Sequence, residues 1–128
     1  MNINFRTIAR GIDSGYQSAN QMVIDNSEEW IDLWQQHTYN TEPPPPVPQV
    51  DFTSYSVVAV FAGEKPTSGY SVEILSAETS GSQTQEQLAI TVQHRQPEAG
   101  DFVTEALTYP YHIIRIPKID GKVVFKHI

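Results

Sequence analysis

The order of apolar and polar positions predicts one helix among several β-strands. Alternation of apolar and polar residues is typical of a strand with one buried face, and it recurs in several short segments. Residues 56–62 are instead almost continuously apolar, which indicates a central strand covered on both faces. The strands that these patterns predict lie at 3–12, 16–24, 56–62, 70–75, 88–92, 112–116 and 123–125. We expect a turn at 79–82, and a tight hairpin turn at Asp120-Gly121 that joins the last two strands.

A single helix is predicted at about 27–38. Asn26 is a suitable N-cap and Glu29 follows three residues later, which is the spacing of a capping box. One face of this helix carries bulky residues at positions i, i+3, i+4 and i+7, namely Trp30, Leu33, Trp34 and His37. The helix ends before the segment 43–48, because prolines lack the backbone donor that a helix needs.

These elements predict an α+β fold that is mainly β. The sheets are expected to be mostly antiparallel, as a sandwich or a half-open barrel, with one amphipathic helix. A chain of 128 residues has the length of one domain, so we expect residues 1–128 to form a single domain.

Composition narrows the possible functions. The chain has eight Lys and Arg against fifteen Asp and Glu, a net charge of −7, which disfavours nucleic acid as a partner. It contains no cysteine, which excludes thiol nucleophiles, disulfides and Cys-ligated metal sites. No apolar run has the length of a membrane span and no signal peptide is evident, so the chain as written is expected in the cytoplasm. A leader removed beforehand would instead place it in the cell envelope or outside the cell.

No local motif of known chemistry appears, and we expect no cofactor, no metal and no catalytic residue. The four histidines do not have metal-ligand spacing. Ser71 follows Gly69 but lacks the second glycine of a nucleophile elbow. A small hydrolase that uses Ser71 or His112 therefore remains an alternative that needs an unrecognised site. The proline run 43–48 is either a stiff connector or a ligand for a proline-recognition domain, and the connector is the simpler interpretation.

Two segments resemble a known family. Residues 50–52 and 57–74, which include Val57-Val-Ala-Val-Phe-Ala-Gly-Glu-Lys-Pro-Thr-Ser-Gly-Tyr70, are similar to the signature of the PrcB-type protease-complex-subunit domain. Residues 104–113, Thr-Glu-Ala-Leu-Thr-Tyr-Pro-Tyr-His-Ile, resemble the second motif of that family, and Glu28-Glu-Trp30 with Leu33-Trp34 resembles its helix. The resemblance covers about residues 22–117. It implies an accessory subunit that associates with a protease and helps to stabilise it.

A shorter resemblance concerns one loop. Lys65-Pro-Thr-Ser-Gly-Tyr70 is similar to the Pro-Thr-Thr-Gly loop of chagasin-like cysteine-protease inhibitors, which are immunoglobulin-like sandwiches. This similarity implies an alternative function, inhibition of a papain-type protease through the loop at 65–70. The partner in either case is a protease or another protein; the sequence does not fix the oligomeric state, although it slightly favours a monomer.

The candidate partner-binding residues come from the two motifs. Pro66 fixes one backbone angle and Gly69 permits a positive one, so a rigid turn is expected to present Thr67 and Ser68. The alternative is that residues 65–69 are only a hairpin connection. The aromatic stretch 109–112 is either a contact patch or a buried corner. The full set of candidates is Lys65, Pro66, Thr67, Ser68, Gly69, Tyr70, Tyr109, Pro110, Tyr111 and His112.

Overall fold

The fold combines seven strands with one helix. A computed structural model describes residues 1–82 and 85–128. Its elements in chain order are β1 (Arg6–Gly11), β2 (Asn20–Ile24), α1 (Ser27–Thr38), β3 (Tyr55–Phe61), β4 (Ser71–Ser82), β5 (Gln85–Arg95), β6 (Tyr111–Pro117) and β7 (Lys122–His127).

The strands form two sheets that pack face to face. The first has the order β1-β6-β3-β2 and is antiparallel throughout. The second has the order β4-β5-β7, in which β4 and β5 are antiparallel and β5 and β7 are parallel. The helix covers the other face of the four-stranded sheet, and the sheets do not close into a barrel. The predicted fold, α+β and mainly β with mostly antiparallel sheets, is therefore confirmed.

Strand β3 lies in the middle of the molecule. Its side chains alternate between two cores, because successive residues of a strand point to opposite faces. Val57, Ala59 and Phe61 pack under the helix, whereas Val58 and Val60 pack against the three-stranded sheet. Every residue from Ser56 to Phe61 is buried, which confirms the prediction of a strand covered on both faces.

The helix has the predicted bounds and buried face. Its bulky residues are buried, namely Trp30, Leu33, Trp34 and His37. The predicted cap is also confirmed, because the Glu29 amide donates to Asn26 Oδ1 at 2.9 Å.

Replacing this cap should weaken the fold measurably. Asn26→Ala leaves the Glu29 amide without its side-chain acceptor, so we expect unfolding free energy to fall by about 1 kcal/mol. Urea denaturation would measure the change. Asn40→Ala, at an exposed position just beyond the helix, is the matched control and should change stability by less than about 0.5 kcal/mol. Equal effects of the two substitutions would contradict the role of the cap.

Two sequence-based predictions about turns are wrong. The Asp120-Gly121 turn does not join a hairpin, because β6 belongs to the first sheet and β7 pairs with β5 in the second. Residues 79–82 are not a turn, because β4 continues to Ser82 and pairs with β5. The N-terminal residues also bond to this part of β4, through Thr79 N to Met1 O at 2.9 Å and Ile3 N to Ala77 O at 2.8 Å. Pairing on both edges therefore outweighs the turn-like composition of the segment.

The proline segment lies along the helix. The Trp30 indole nitrogen donates to Pro48 O at 2.8 Å, and the Trp34 indole nitrogen donates to Pro45 O at 3.0 Å. Two carbonyls of the segment are thus bonded within the protein. These contacts support the interpretation of residues 43–48 as a stiff connector.

Candidate functional site

The loop at 64–70 connects the two sheets. It leaves β3 in the four-stranded sheet and enters β4 in the three-stranded sheet, so it is not a hairpin connection. Gly69 has a φ of +92°, as expected for a position that needs glycine. The loop therefore crosses from one layer to the other instead of setting the register between paired strands.

Hydrogen bonds hold this loop against residues 98–108. The backbones of Lys65 and Thr108 exchange two hydrogen bonds, at 2.8 and 3.0 Å. Ser68 N donates to Thr104 O at 3.0 Å, and Ser68 Oγ accepts from Thr104 N at 2.7 Å. Thr108 Oγ1 donates to Thr67 O at 2.9 Å. The loop is preorganised, as the proline and glycine suggested.

The loop does not project freely into solvent. Pro66 and Gly69 are exposed, but Thr67 and Ser68 are half-buried beside the neighbouring segment. Thr67 Oγ1 donates to Ser68 O at 2.8 Å, so its hydroxyl proton is used inside the loop. Lys65 and Tyr70 are also half-buried and contact each other, with the ammonium 5.6 Å from the ring centroid. The predicted outward display of Thr67 and Ser68 is thus only partial.

Three exposed apolar side chains lie on the adjoining segment. Phe102 is fully exposed, Leu107 is 57% exposed and Val103 is 39% exposed. We call the surface formed by Pro66, Thr67, Ser68, Phe102, Val103 and Leu107 the loop-end surface. Sequence reasoning missed its apolar part, because 102–107 has no clear strand or helix period. The sequence could have indicated it, because apolar residues in a segment without strand or helix periodicity are not predicted to face a core and are therefore candidates for exposure.

The aromatic stretch at 109–112 is mainly buried. Tyr109 is half-buried, and its hydroxyl donates to Glu64 Oε1 at 2.9 Å, an interaction that raises the pKa of Tyr109. Pro110, Tyr111 and His112 are buried, so they do not present side chains to a partner. The burial of three of the four residues favours the interpretation of this stretch as a buried corner.

His112 links the two sheets. Ile74 N donates to His112 Nδ1 at 2.8 Å, so Nε2 carries the proton and donates to Thr7 Oγ1, also at 2.8 Å. The ring is 3% exposed, and burial, with a smaller contribution from Arg10, lowers its pKa to about 4. A neutral ring with both nitrogens bonded to β1 and β4 is a structural group.

A second buried histidine forms a pair that sequence reasoning missed. Ser14 Oγ and His37 Nδ1 are 2.8 Å apart, and Ser14 Oγ also accepts from Tyr16 N at 3.1 Å. Burial lowers the pKa of His37 to about 4. The distance suits a nucleophile and a base, but Ser14 is 1% exposed and His37 is 5% exposed, so a substrate does not reach them. The pair joins the segment before β2 to the end of α1.

The hydrolase alternative receives no support from the other serines. Ser71 lies opposite Arg95 in the β4–β5 ladder. In the described ranges, 1–82 and 85–128, Ser14 is the one serine that hydrogen-bonds to a histidine. His112 is bonded to Thr7 and to the Ile74 amide instead.

The two remaining histidines form a surface pair. His94 Nε2 and His127 Nδ1 are 2.8 Å apart, and His127 Nε2 lies 2.6 Å from Gln21 Oε1. Burial lowers the pKa of His94, and His127 and Lys65 lower it further. The part of the chain that the structure describes contains no group of three or more His, Cys, Asp or Glu placed to hold a metal ion. In the same part, no helix is long and apolar enough to cross a membrane.

The family resemblance lies in one segment of the chain. This segment contains the loop, the residues bonded to it and strands β3 to β6. Residues 56–117 match the model of the PrcB C-terminal family. The resemblance to a PrcB-type domain is thereby confirmed over β3, β4, β5 and β6. The matched segment is just under half of the chain and begins after α1, so the match does not extend to the helix. Searches of curated proteins and of solved structures found no match.

Proposed function

We propose that this chain is a non-catalytic accessory domain that binds a protease through the loop-end surface and stabilises it. The PrcB C-terminal match suggests a protease-complex accessory role. The observation that carries the proposal is the set of exposed apolar side chains at Phe102, Val103 and Leu107 beside a preorganised loop.

Three exposed apolar residues within six positions differ from isolated surface residues. Single exposed apolar side chains are normal on soluble proteins, whereas several on one short segment are typical of an interaction site. The segment keeps its position through bonds to Ser68 and Lys65, so it loses little conformational entropy on binding. An aromatic anchor such as Phe102 is the kind of residue that contributes most to a protein interface.

The charges around this surface favour a basic partner. Glu98, Asp101 and Glu105 lie on the same segment and are exposed. Asp101 also accepts a hydrogen bond from Glu98 N at 2.8 Å, which keeps this turn in place. Acidic groups on the same segment as the apolar residues speed association with a positively charged surface and make it sensitive to salt.

Substitution at the loop-end surface tests the proposal. The immobilised chain should capture a protease from extract of the source cell at low salt, and the captured protease should lose activity more slowly on heating. Phe102→Ser with Leu107→Ser should reduce capture at least tenfold, because the apolar anchors are removed. Leu75→Ser is the control, since Leu75 is 42% exposed on β4 and lies outside the surface.

The outcomes separate the parts of this proposal. Equal loss of capture with Leu75→Ser would contradict the assigned surface. Capture of a protease whose inactivation rate does not change would contradict the stabilising role. Recovery of no protease at low salt would overturn the proposed partner.

A further inference from the structure

A groove at the opposite end of β3 has a shape and chemistry of its own. It has a volume of about 690 Å³ and lies between the start of α1, the segment 47–52 and the first residue of β3. Its apolar wall includes Trp30, Val47, Pro48 and Phe52, while Tyr55 and Arg115 also line it. We call it the strap groove. It shares no residue with the loop-end surface.

The walls of the strap groove are fixed by hydrogen bonds. The Trp30 indole nitrogen bonds to Pro48 O at 2.8 Å, and Lys118 Nζ bonds to Phe52 O at 2.8 Å. The segment between these two anchors is therefore tied at both ends. A preformed apolar groove of this volume is in the range of roughly 300–1,000 Å³ that small-ligand sites occupy.

Arg115 supplies a cation to this groove. It is half-buried, and its guanidinium carbon lies 4.2 Å from the centroid of the Tyr55 ring. Among residues 1–82 and 85–128, the one ion pair joins Arg10 to Glu73, so Arg115 has no carboxylate partner there. Stacking on an aromatic ring leaves the edge of a guanidinium free to bind a carboxylate through two parallel hydrogen bonds.

A second arginine lies directly across from the first. Arg6 on β1 is the register partner of Arg115 on β6, so the two side chains share a face of the sheet. Like charges placed directly opposite are destabilising, and this chain has only eight Lys and Arg in all. An anion bound at Arg115 would relieve part of that repulsion.

The carboxylate that lines the groove does not fill this role. Asp51 accepts hydrogen bonds from Thr53 N at 3.0 Å and from Thr53 Oγ1 at 2.6 Å. These bonds lower the pKa of Asp51 and hold its carboxylate against Thr53. The positive charge of Arg115 is left for a ligand.

We infer that the strap groove binds the C-terminal residue of a partner polypeptide when that residue is apolar. Its carboxylate pairs with Arg115, and its side chain packs against Trp30, Val47 and Phe52. A C-terminal residue carries a carboxylate and an apolar group within a few ångströms of each other. An apolar wall beside a guanidinium matches that combination.

A titration with two nearly identical probes tests this site. N-acetyl-phenylalanine should shift the backbone amide NMR signals of residues 47–55 and of Arg115, with a dissociation constant of about 1 mM for a ligand of this size. N-acetyl-phenylalanine amide has the same ring without the charge and should bind at least tenfold more weakly. Raising the salt concentration should weaken binding of the acid and leave the amide unchanged.

Variants assign the effect to the arginines. Arg115→Gln should remove the preference for the acid, whereas Arg95→Gln, at an exposed arginine on β5, should retain it. If Arg115→Gln does not fold, Arg6→Gln at the exposed partner position is the substitute, and it should weaken binding of the acid about threefold.

Several results would overturn the inference. Equal binding of acid and amide would show that the carboxylate is not recognised. Signal changes outside the groove would show that the probe binds elsewhere. Binding of acetate as tight as that of the probe would show a general anion patch. A peptide with an internal glutamate and an amidated end that binds as tightly as the acid would exclude a C-terminal residue as the specific ligand.

Discussion

Lowering the pH from 7 to 4.5 is expected to reduce the unfolding free energy by roughly 3 kcal/mol, through His37 and His112. Burial lowers the pKa of each ring to about 4 in the folded protein, against an ordinary value of 6.5. Below pH 6.5 the unfolded chain binds protons that the folded protein does not, so stability falls as the pH falls. The loss begins near pH 6.5 and levels off near pH 4, where the folded rings also become protonated. The full shifts would give a larger figure, which we reduce because the protein can rearrange locally around a protonated ring.

Urea denaturation at several pH values measures this effect. The surface pair offers a control, since the double variant His94→Gln and His127→Gln should keep most of the decline between pH 6.5 and 4.5: the pKa of His94 is also lowered, but the large shifts belong to His37 and His112. Asp51 also has a lowered pKa. Its contribution to stability is lost only as the pH falls below 3.8, the ordinary pKa of the group, which is outside this range. Constant stability between pH 7 and 4.5, or NMR titration of both buried rings near pH 6.5, would contradict the expectation.

Gly15→Ala is expected to reduce the unfolding free energy by about 3 kcal/mol, because the position has no room for a side chain. A Cβ at Gly15 would lie 2.1 Å from the backbone oxygen of Gln36, which cannot move without disturbing α1. The Gly15 amide donates a hydrogen bond to His37 O at 2.7 Å. Moving the backbone apart would break this bond and strain the neighbouring Ser14–His37 pair.

Gly100→Ala is the matched control for this substitution. A Cβ there meets nothing within 4 Å, so the cost comes only from the φ of +94° and should be about 1 kcal/mol. Thermal and urea denaturation would compare the two variants. A loss at Gly15 no greater than that at Gly100 would show that helix α1 yields easily at its C-terminal end.

The sequence was most informative where a local pattern and the final packing agree. The run at 56–62 predicted β3 correctly because both faces of that strand are buried. The stripe Trp30, Leu33, Trp34 and His37 predicted α1 because all four residues pack on one sheet. The hairpin at Asp120-Gly121 failed because pairing of β7 with β5 outweighs a local turn signal.

The candidate site was less predictable, because its contacts join distant parts of the chain. The role of His112 depends on Thr7 and on the Ile74 amide, which belong to other strands. The helix period placed His37 on the buried face, but nothing near it in sequence pointed to Ser14. The Arg6–Arg115 juxtaposition likewise arises only from the register of β1 on β6.

The path of the chain between the two sheets also affects how the protein folds. The four-stranded sheet needs β6, which follows both long strands of the other sheet, and the three-stranded sheet needs β7, which follows β6. Neither sheet is made from one uninterrupted stretch, so neither is complete until a strand that follows part of the other sheet has been synthesised. Assembly requires loop closure over long separations, which is slow and makes partly synthesised chains dependent on protection from aggregation.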